Sequence, residues 1–221
     1  VYKFAKLRNF IHLYFIKSLS SKKSMKFDFS QPIKLENERV ILRPLEQNDF
    51  TYLLPFSENE GDLWNYSLTP AAGAKNLQTY IDTALVAKDK LQAYPFVVFD
   101  KKTQKIAGST RFYDIQITHN VLSLGYTWYG KEFQRTGLNR NCKYLLLSYA
   151  FDTLGVDRVE FRADLRNVKS IQAMKQIGCT QEGILRSNCS ASNGRRDSIV
   201  LSILKPEWNQ QVKTHLQSKL Y

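Results

Sequence analysis

The run Phe133-Gln134-Arg135-Thr136-Gly137-Leu138-Asn139 carries the residue types best suited to chemistry in this chain, and that chemistry is the seating of an anion. It follows a strand-like segment ending Gly125-Tyr126-Thr127-Trp128. It leads into a stretch where Leu138, Cys142, Leu145, Tyr149 and Leu154 recur at steps that keep them broadly on one helical face. A loop that opens a helix presents backbone N–H groups without intrahelical acceptors, at the positive end of the helix dipole, and both favour a bound phosphate. Gly137 lets the main chain approach such an anion closely, and Arg135 and Arg140 add positive charge at either side. The glycine patterns of dinucleotide folds (G-x-G-x-x-G) and of P-loops (G-K-[ST]) are absent. A phosphate-bearing ligand other than a dinucleotide or nucleoside triphosphate is the simplest fit.

Other reactive side chains are sparse. His12, His119 and His215 lie far apart, and none has a second histidine or a cysteine at ligand spacing, so no metal site is expected. Cys142, Cys179 and Cys189 form no C-x-x-C pair and are odd in number, which argues against a disulfide framework or zinc knuckle and fits a reducing cytoplasm. Cys142 and Cys179 read as small buried hydrophobes; Cys189 falls near a hairpin with no partner base to mark it as a nucleophile.

These residues need elements to hold them. Arg39 to Leu45 has strand composition with a proline stop, and Asn48-Asp49-Phe50 opens a short helix through Phe56. Residues 59 to 74 read as a loop around Trp64. Asn76 to Leu91 is a helix with Leu77, Tyr80, Ile81, Leu85 and Ala87 on its apolar face. Phe96 to Phe99, Lys105 to Tyr113 and Val121 to Trp128 are strand-like, and the last is the fourth strand in this count. Behind the cradle helix come Arg158 to Ala163 as the fifth strand, Ser170 to Ile177 as a helix, and Gln181 to Arg186 and Asp197 to Leu204 as strands. Ser192-Asn193-Gly194-Arg195 is a hairpin signal between those two, and Asn209 to Leu220 forms a final helix. The order predicts an α+β fold: a mixed, mostly antiparallel central sheet with helices on both faces.

With 221 residues, of which 43% are hydrophobic, the chain is long enough for one well-buried core. Its net charge of +12 is not spread evenly. Half of it comes from Lys3, Lys6, Arg8, Lys17, Lys22 and Lys23, in a 1–24 segment without an acid. The rest suits a polyanionic small ligand as well as a nucleic acid. The first methionine is Met25, so the expected division is a basic extension over 1–24, upstream of the true start, and a single domain over 25–221. The alternative for 1–24 is a basic amphipathic segment for a membrane surface or targeting, since Phe10 to Ile16 is apolar between cationic flanks. That apolar run is far below the roughly 20 residues needed to span a bilayer.

Between Arg43 and Leu204 the chain resembles the GNAT superfamily of acyl-CoA-dependent N-acetyltransferases, and within it the ribosomal-protein acetyltransferases of the RimJ/RimL branch. The matching segments stand in family order: Arg43-Pro44-Leu45 with Asp49, Gly108, Gly125-Tyr126-Thr127-Trp128, Gln134-Arg135-Thr136-Gly137, Tyr149-Ala150-Phe151 with Leu154-Gly155 and Arg158-Val159-Glu160. Asn167 with Ser170, Ile177-Gly178, Glu182-Gly183, Arg186, and Gly194 with Asp197 complete the set.

The resemblance implies acetyl-CoA as co-substrate, no metal, and direct acetyl transfer to a primary amine, either a protein N-terminus such as that of a ribosomal protein or a small amine. It implies a monomer or homodimer acting on no specific nucleic acid and no membrane. Gln134, Arg135, Thr136, Gly137, Leu138 and Asn139 would hold the CoA pyrophosphate through backbone N–H groups. Asn139 is a departure, since the family prefers a small residue there; asparagine tolerates positive φ, but its side chain would crowd the phosphates. The fourth and fifth strands would splay, with pantetheine pairing to the backbone of Tyr126, Thr127 and Trp128 and the Tyr126 backbone at the reacting oxygen. The side chains of Tyr126 and Trp128 suit core packing equally well. Asn167 and Ser170 read by themselves as an N-cap and a first-turn serine. The resemblance adds pantetheine contact and makes Ser170 the candidate general acid at the CoA sulfur.

Relatives often place a carboxylate base two residues before the Gly-Tyr pair, where this chain has Ser123. Asp114, Asp164 or a water chain are the alternatives, and Glu182 reads as a structural hydrogen-bonding residue. Residues 56 to 75 and the Asn188 to Arg196 hairpin would shape the acceptor pocket. The other function class is a catalytically weak CoA-binding or RNA-associated protein on the same fold, which Ser123, Asn139 and the basic balance would suit.

Overall fold

The computed structural model describes residues 25–191 and 194–220. The 1–24 segment and the Ser192-Asn193 part of the expected hairpin turn lie outside the described residues.

The β-branched and aromatic runs assemble into one eight-stranded sheet of order β1-β2-β3-β4-β5-β6-β8-β7. Its strands are β1 (Leu35–Glu36), β2 (Val40–Pro44), β3 (Ala93–Asp100), β4 (Lys105–Gln116), β5 (Val121–Tyr129), β6 (Arg158–Asp164), β7 (Thr180–Ala191) and β8 (Gly194–Leu204). Every neighbouring pair is antiparallel except β5 with β6. The short edge strand β1 has no sequence signal, so the strands expected fourth and fifth are β5 and β6. Helices α1 (Phe50–Asn59), α2 (Ala74–Asp89), α3 (Leu138–Ser148) and α4 (Val168–Gln176) complete the frame, with a C-terminal helical run over 205–217.

Two cores lie on the two faces. Against one, α1 and α2 bury Leu53, Leu77, Tyr80, Ile81 and Ala84 with Trp64, Val97 and Trp128. Against the other, α3 and the C-terminal run pack Leu138, Cys142, Leu146, Phe151 and Trp208 onto Phe96, Phe112 and Phe161, and Met25 and Phe27 join them. The inward face of α2 closes with Ala84; Leu85 and Ala87 are only partly buried. On α3 the buried ridge runs 138, 142, 146 and 150 at four-residue steps, so Leu145 and Tyr149 sit at its margin. Tyr149–Leu154 widens to a π turn, which brings Leu154 back inward despite the five-residue step.

The sheet opens where β5 and β6 part. They pair in parallel only at Val121↔Arg158, Leu122↔Val159 and Ser123↔Glu160. Beyond Ser123 that edge of β5 has no ladder partner. On its other side β5 gains one residue over β4 between Gly125 (opposite Arg111) and Trp128 (opposite Ser109), a β-bulge that holds Tyr126 at φ 50.

Candidate functional site

Because β5 and β6 are parallel, the residues that follow them meet at one end of the opening. The 134–139 turn and α3 come after β5, and Asn167 and α4 come after β6. The turn is built by two left-handed residues, Arg135 at φ 61 and Gly137 at φ 84, and Gly137 caps α3. Among the described residues the amides of Arg135, Thr136 and Gly137 have no acceptor, and that of Leu138 has only a 3.5 Å bond to Thr136 Oγ1. A Cβ built on Gly137 would meet nothing within 4 Å. The turn therefore carries backbone donors without acceptors among the described residues, at a helix N-terminus whose glycine borders open space.

The frame of the turn is well fastened. Gln134 Nε2 donates to the Tyr129 carbonyl at 3.0 Å, and Thr136 Oγ1 donates to the Phe133 carbonyl at 2.7 Å. Asn139 corrects an expectation. It lies inside α3, where positive φ is not required, and its Oδ1 accepts from the Tyr129 hydroxyl at 3.2 Å, which ties the amide to β5. Arg140 is likewise engaged, donating to the Lys219 carbonyl at 2.9 Å, while Arg135 stays exposed.

Along the free edge the three β5 residues differ. The Trp128 ring is core, against Trp64 at 5.3 Å and Phe56 at 6.0 Å. Thr127 Oγ1 lies 2.7 Å from Thr110 Oγ1 and accepts from Lys143 Nζ at 2.8 Å. Tyr126 is 37% exposed, with its ring stacked 4.0 Å from the Arg111 guanidinium and edge-on to Tyr113, and its carbonyl accepts from the Tyr80 hydroxyl at 3.4 Å.

Lys143 was not foreseen, although a lysine beside Cys142 on an inward-facing helix was the available signal. It is 5% exposed, reaches into the opening between Thr127 and the Phe161 ring, and has no carboxylate partner among the described residues. Burial pulls its ammonium down to about 8, while its neighbour Cys142 is pushed up to about 12, also by burial. A lysine whose folded pKa lies below its ordinary 10.5 binds less proton than the unfolded chain between about pH 8 and 10.5. Its contribution to stability therefore rises with pH across that window, by at most about 1.4 kcal/mol per unit. The unfolding free energy of the wild type relative to Lys143→Met should increase from pH 8 to pH 10 in urea titrations. A pH-independent difference would contradict a buried charged lysine.

Across the opening Asn167 Oδ1 accepts the Ser170 amide at 3.1 Å, so the N-cap is realised, and Ser170 itself is half-buried. Ser123 is buried, and its hydroxyl hydrogen-bonds the Tyr113 phenol, which burial pushes up to about 12. Asp164 is held by the fork of Arg166, at 2.7 Å from Nη2 and 2.9 Å from Nε, and these bonds keep its carboxyl below the ordinary range and make it a poor proton acceptor. Asp114 is exposed, on a left-handed residue. Glu182 joins Arg158 and accepts from Ser202 at 2.8 Å, binding β7 to its neighbours. The 59–74 loop reaches β8 through the Tyr66 carbonyl, which accepts from Arg196 Nη1 at 3.4 Å. Among the described residues no group of histidine, cysteine or acid could hold a metal ion, and no helix is long and apolar enough to cross a membrane.

A family profile described as "Acetyltransferase (GNAT) domain" matches residues 39–180. The N-acetyltransferase p20 of Bacillus licheniformis, itself uncharacterized, is 24% identical over 174 residues, 79% of this chain and 97% of p20. The crystal structure of a GCN5-related N-acetyltransferase from Brucella melitensis superposes with a TM-score of 0.83 at 23% identity, covering 91% of this chain and 90% of that one. That of the ribosomal-protein-S5-alanine acetyltransferase from Vibrio fischeri gives 0.65 at 20% identity, covering 80% and 98%.

Proposed function

The chain belongs to the GNAT family of acetyltransferases, and from that premise we propose that it transfers the acetyl group of acetyl-CoA to a primary amine by direct attack in a ternary complex. The observation that carries this is the opening of β5 from β6 with the unsatisfied turn at its carboxyl end. The residues present fit the co-substrate. The free amides of Arg135, Thr136 and Gly137, with those of Leu138 and Asn139 at the start of α3, would take the pyrophosphate. The open edge of β5 at Tyr126, Thr127 and Trp128 would pair with the amides of the pantetheine arm.

In this reading the Tyr126 backbone at the bulge would face the thioester oxygen as it gains charge, and Ser170, on the helix capped by Asn167, would donate the proton to the leaving sulfur. Asp114 and Asp164 do not suit the base, which leaves a water chain or an amine that arrives neutral. The acceptor is the N-terminus of a protein or a small amine. The relative named for a ribosomal-protein alanine supports the RimJ/RimL branch and a ribosomal protein as one candidate. Ser123 and the Arg166 hold on Asp164 favour the second reading, a CoA binder without turnover.

The two are separated by free-thiol release from acetyl-CoA with panels of peptides and small amines at varied concentrations of both substrates. Transfer in a ternary complex gives thiol release with intersecting double-reciprocal lines; binding of acetyl-CoA without release on any amine would establish the second reading.

A further inference from the structure

Resting on the transfer reading, we propose that the acceptor is a small amine bearing a carboxylate, and that the carboxylate binds Arg111 beside the Tyr126 bulge. Arg111 lies on β4 opposite Gly125, 3% exposed, with its guanidinium 4.8 Å from the centre of the Tyr80 ring and 4.0 Å from that of Tyr126. Both contacts are with π faces, which accept no N–H in the guanidinium plane. Two of its nitrogens, Nε and Nη2, are buried with no acceptor among the described residues. A guanidinium does not shed its proton to escape burial, so the site retains a charge that wants an anion.

Among the described residues no carboxylate pairs with Arg111. Along the same face of the opened sheet, Glu160 is held by Arg158 and Arg162, Glu182 by Arg158, and Asp164 by Arg166. A second buried arginine, Arg196 at 6% exposure, bonds only the neutral oxygens of Ser198 and Tyr66. Among the described residues this face therefore holds two buried guanidiniums without an ion-pair partner. The planar N–H fork of Arg111 matches a carboxylate, and the exposed Tyr126 ring that now caps it lies at the proposed point of transfer. A carboxylate at the guanidinium edge would leave an amine a few bonds away beside the acyl carbon. In the reaction the amine nitrogen bonds the acetyl carbon and the carbon–sulfur bond breaks. Of the two protons lost by the ammonium, one ends on the CoA thiol and one in solvent, and the product is an N-acetyl amino carboxylate.

Thiol release from acetyl-CoA is compared for amino acids and their primary amides. The amide forms have the less basic amine and so more free nucleophile, which makes a carboxylate preference hard to obtain by accident. Wild type should favour the amino acids by at least about tenfold in kcat/KM, the scale of one charge-assisted hydrogen bond. Arg111→Gln should abolish that preference and Arg111→Lys retain part of it. The ratio is the readout, because lost support for the Tyr126 ring would lower both series alike. Equal or better use of the amides by wild type, or an undiminished preference in a folded Arg111→Gln protein, would overturn the inference; if that variant does not fold, the wild-type series alone decides. Peptides preferred over amino acids would also overturn it. If no amine releases thiol, the transfer reading fails separately. The carboxylate site is then judged by melting temperature with CoA bound: a rise with amino acids but not amides supports it, and no rise overturns it.

Discussion

Gly137→Val should lower the affinity for CoA by well over tenfold, more than about 1.4 kcal/mol. Gly137 sits at φ 84, where a β-branched residue is strained, and its missing Cβ faces the open space beside the unsatisfied amides. Valine would push the turn out of its left-handed conformation and place methyl groups where the pyrophosphate must approach. Desulfo-CoA should lose as much, since the defect is remote from the sulfur. Calorimetry on a variant shown to be folded checks this, and undiminished affinity would place the phosphates elsewhere.

Gly108→Ala should destabilise the fold by roughly 3 kcal/mol, the upper end for forcing extra atoms into a packed site. A Cβ there would lie 2.1 Å from the Trp128 carbonyl oxygen and 2.9 Å from the Tyr129 Cα, so the obstacle is the backbone of β5, which cannot swing away. The end of β5 that carries the Gln134 and Asn139 fastenings must shift, and CoA affinity should fall with stability. Gly125→Ala is the comparison: its Cβ meets the Tyr113 ring edge at 2.9 Å, and a side chain has more freedom to yield. Urea unfolding of the three proteins should rank wild type, Gly125→Ala and Gly108→Ala in falling order. Equal stability of the two variants would contradict the backbone explanation.

What the sequence made legible was local. The left-handed turn before α3 follows from a glycine at the mouth of an amphipathic helix, and the Asn167 cap from an asparagine before one, so short-range chemistry identified both elements. The helices and most strands came from periodicity, with ends displaced by a few residues because neighbouring strands extend β3, β4 and β7 beyond their patterned runs. Leu145 and Tyr149 were placed inward because their three- and four-residue steps were read as one helical face through Leu154, whereas the buried ridge follows four-residue steps and the backbone widens into a π turn. The splay was accessible only through family resemblance, since nothing in Val121 to Trp128 says where pairing with Arg158 to Asp164 stops.

The residues missed are those defined by partners far along the chain. Tyr126 was named for its backbone, but its left-handed conformation carries no sequence mark because tyrosine is an unusual occupant of it. Arg111 and Lys143 looked like ordinary charges in a strand and a helix, and only the folded sheet shows each buried beside one residue of the bulge.

The most direct measurement is a crystal structure of the protein with acetyl-CoA bound. The pyrophosphate oxygens should lie about 3 Å from the amide nitrogens of the 135–139 turn, with the pantetheine arm paired to β5 between Tyr126 and Trp128 and the thioester at the bulge. Acetyl-CoA bound with that turn empty and the β5–β6 opening unoccupied would contradict the account.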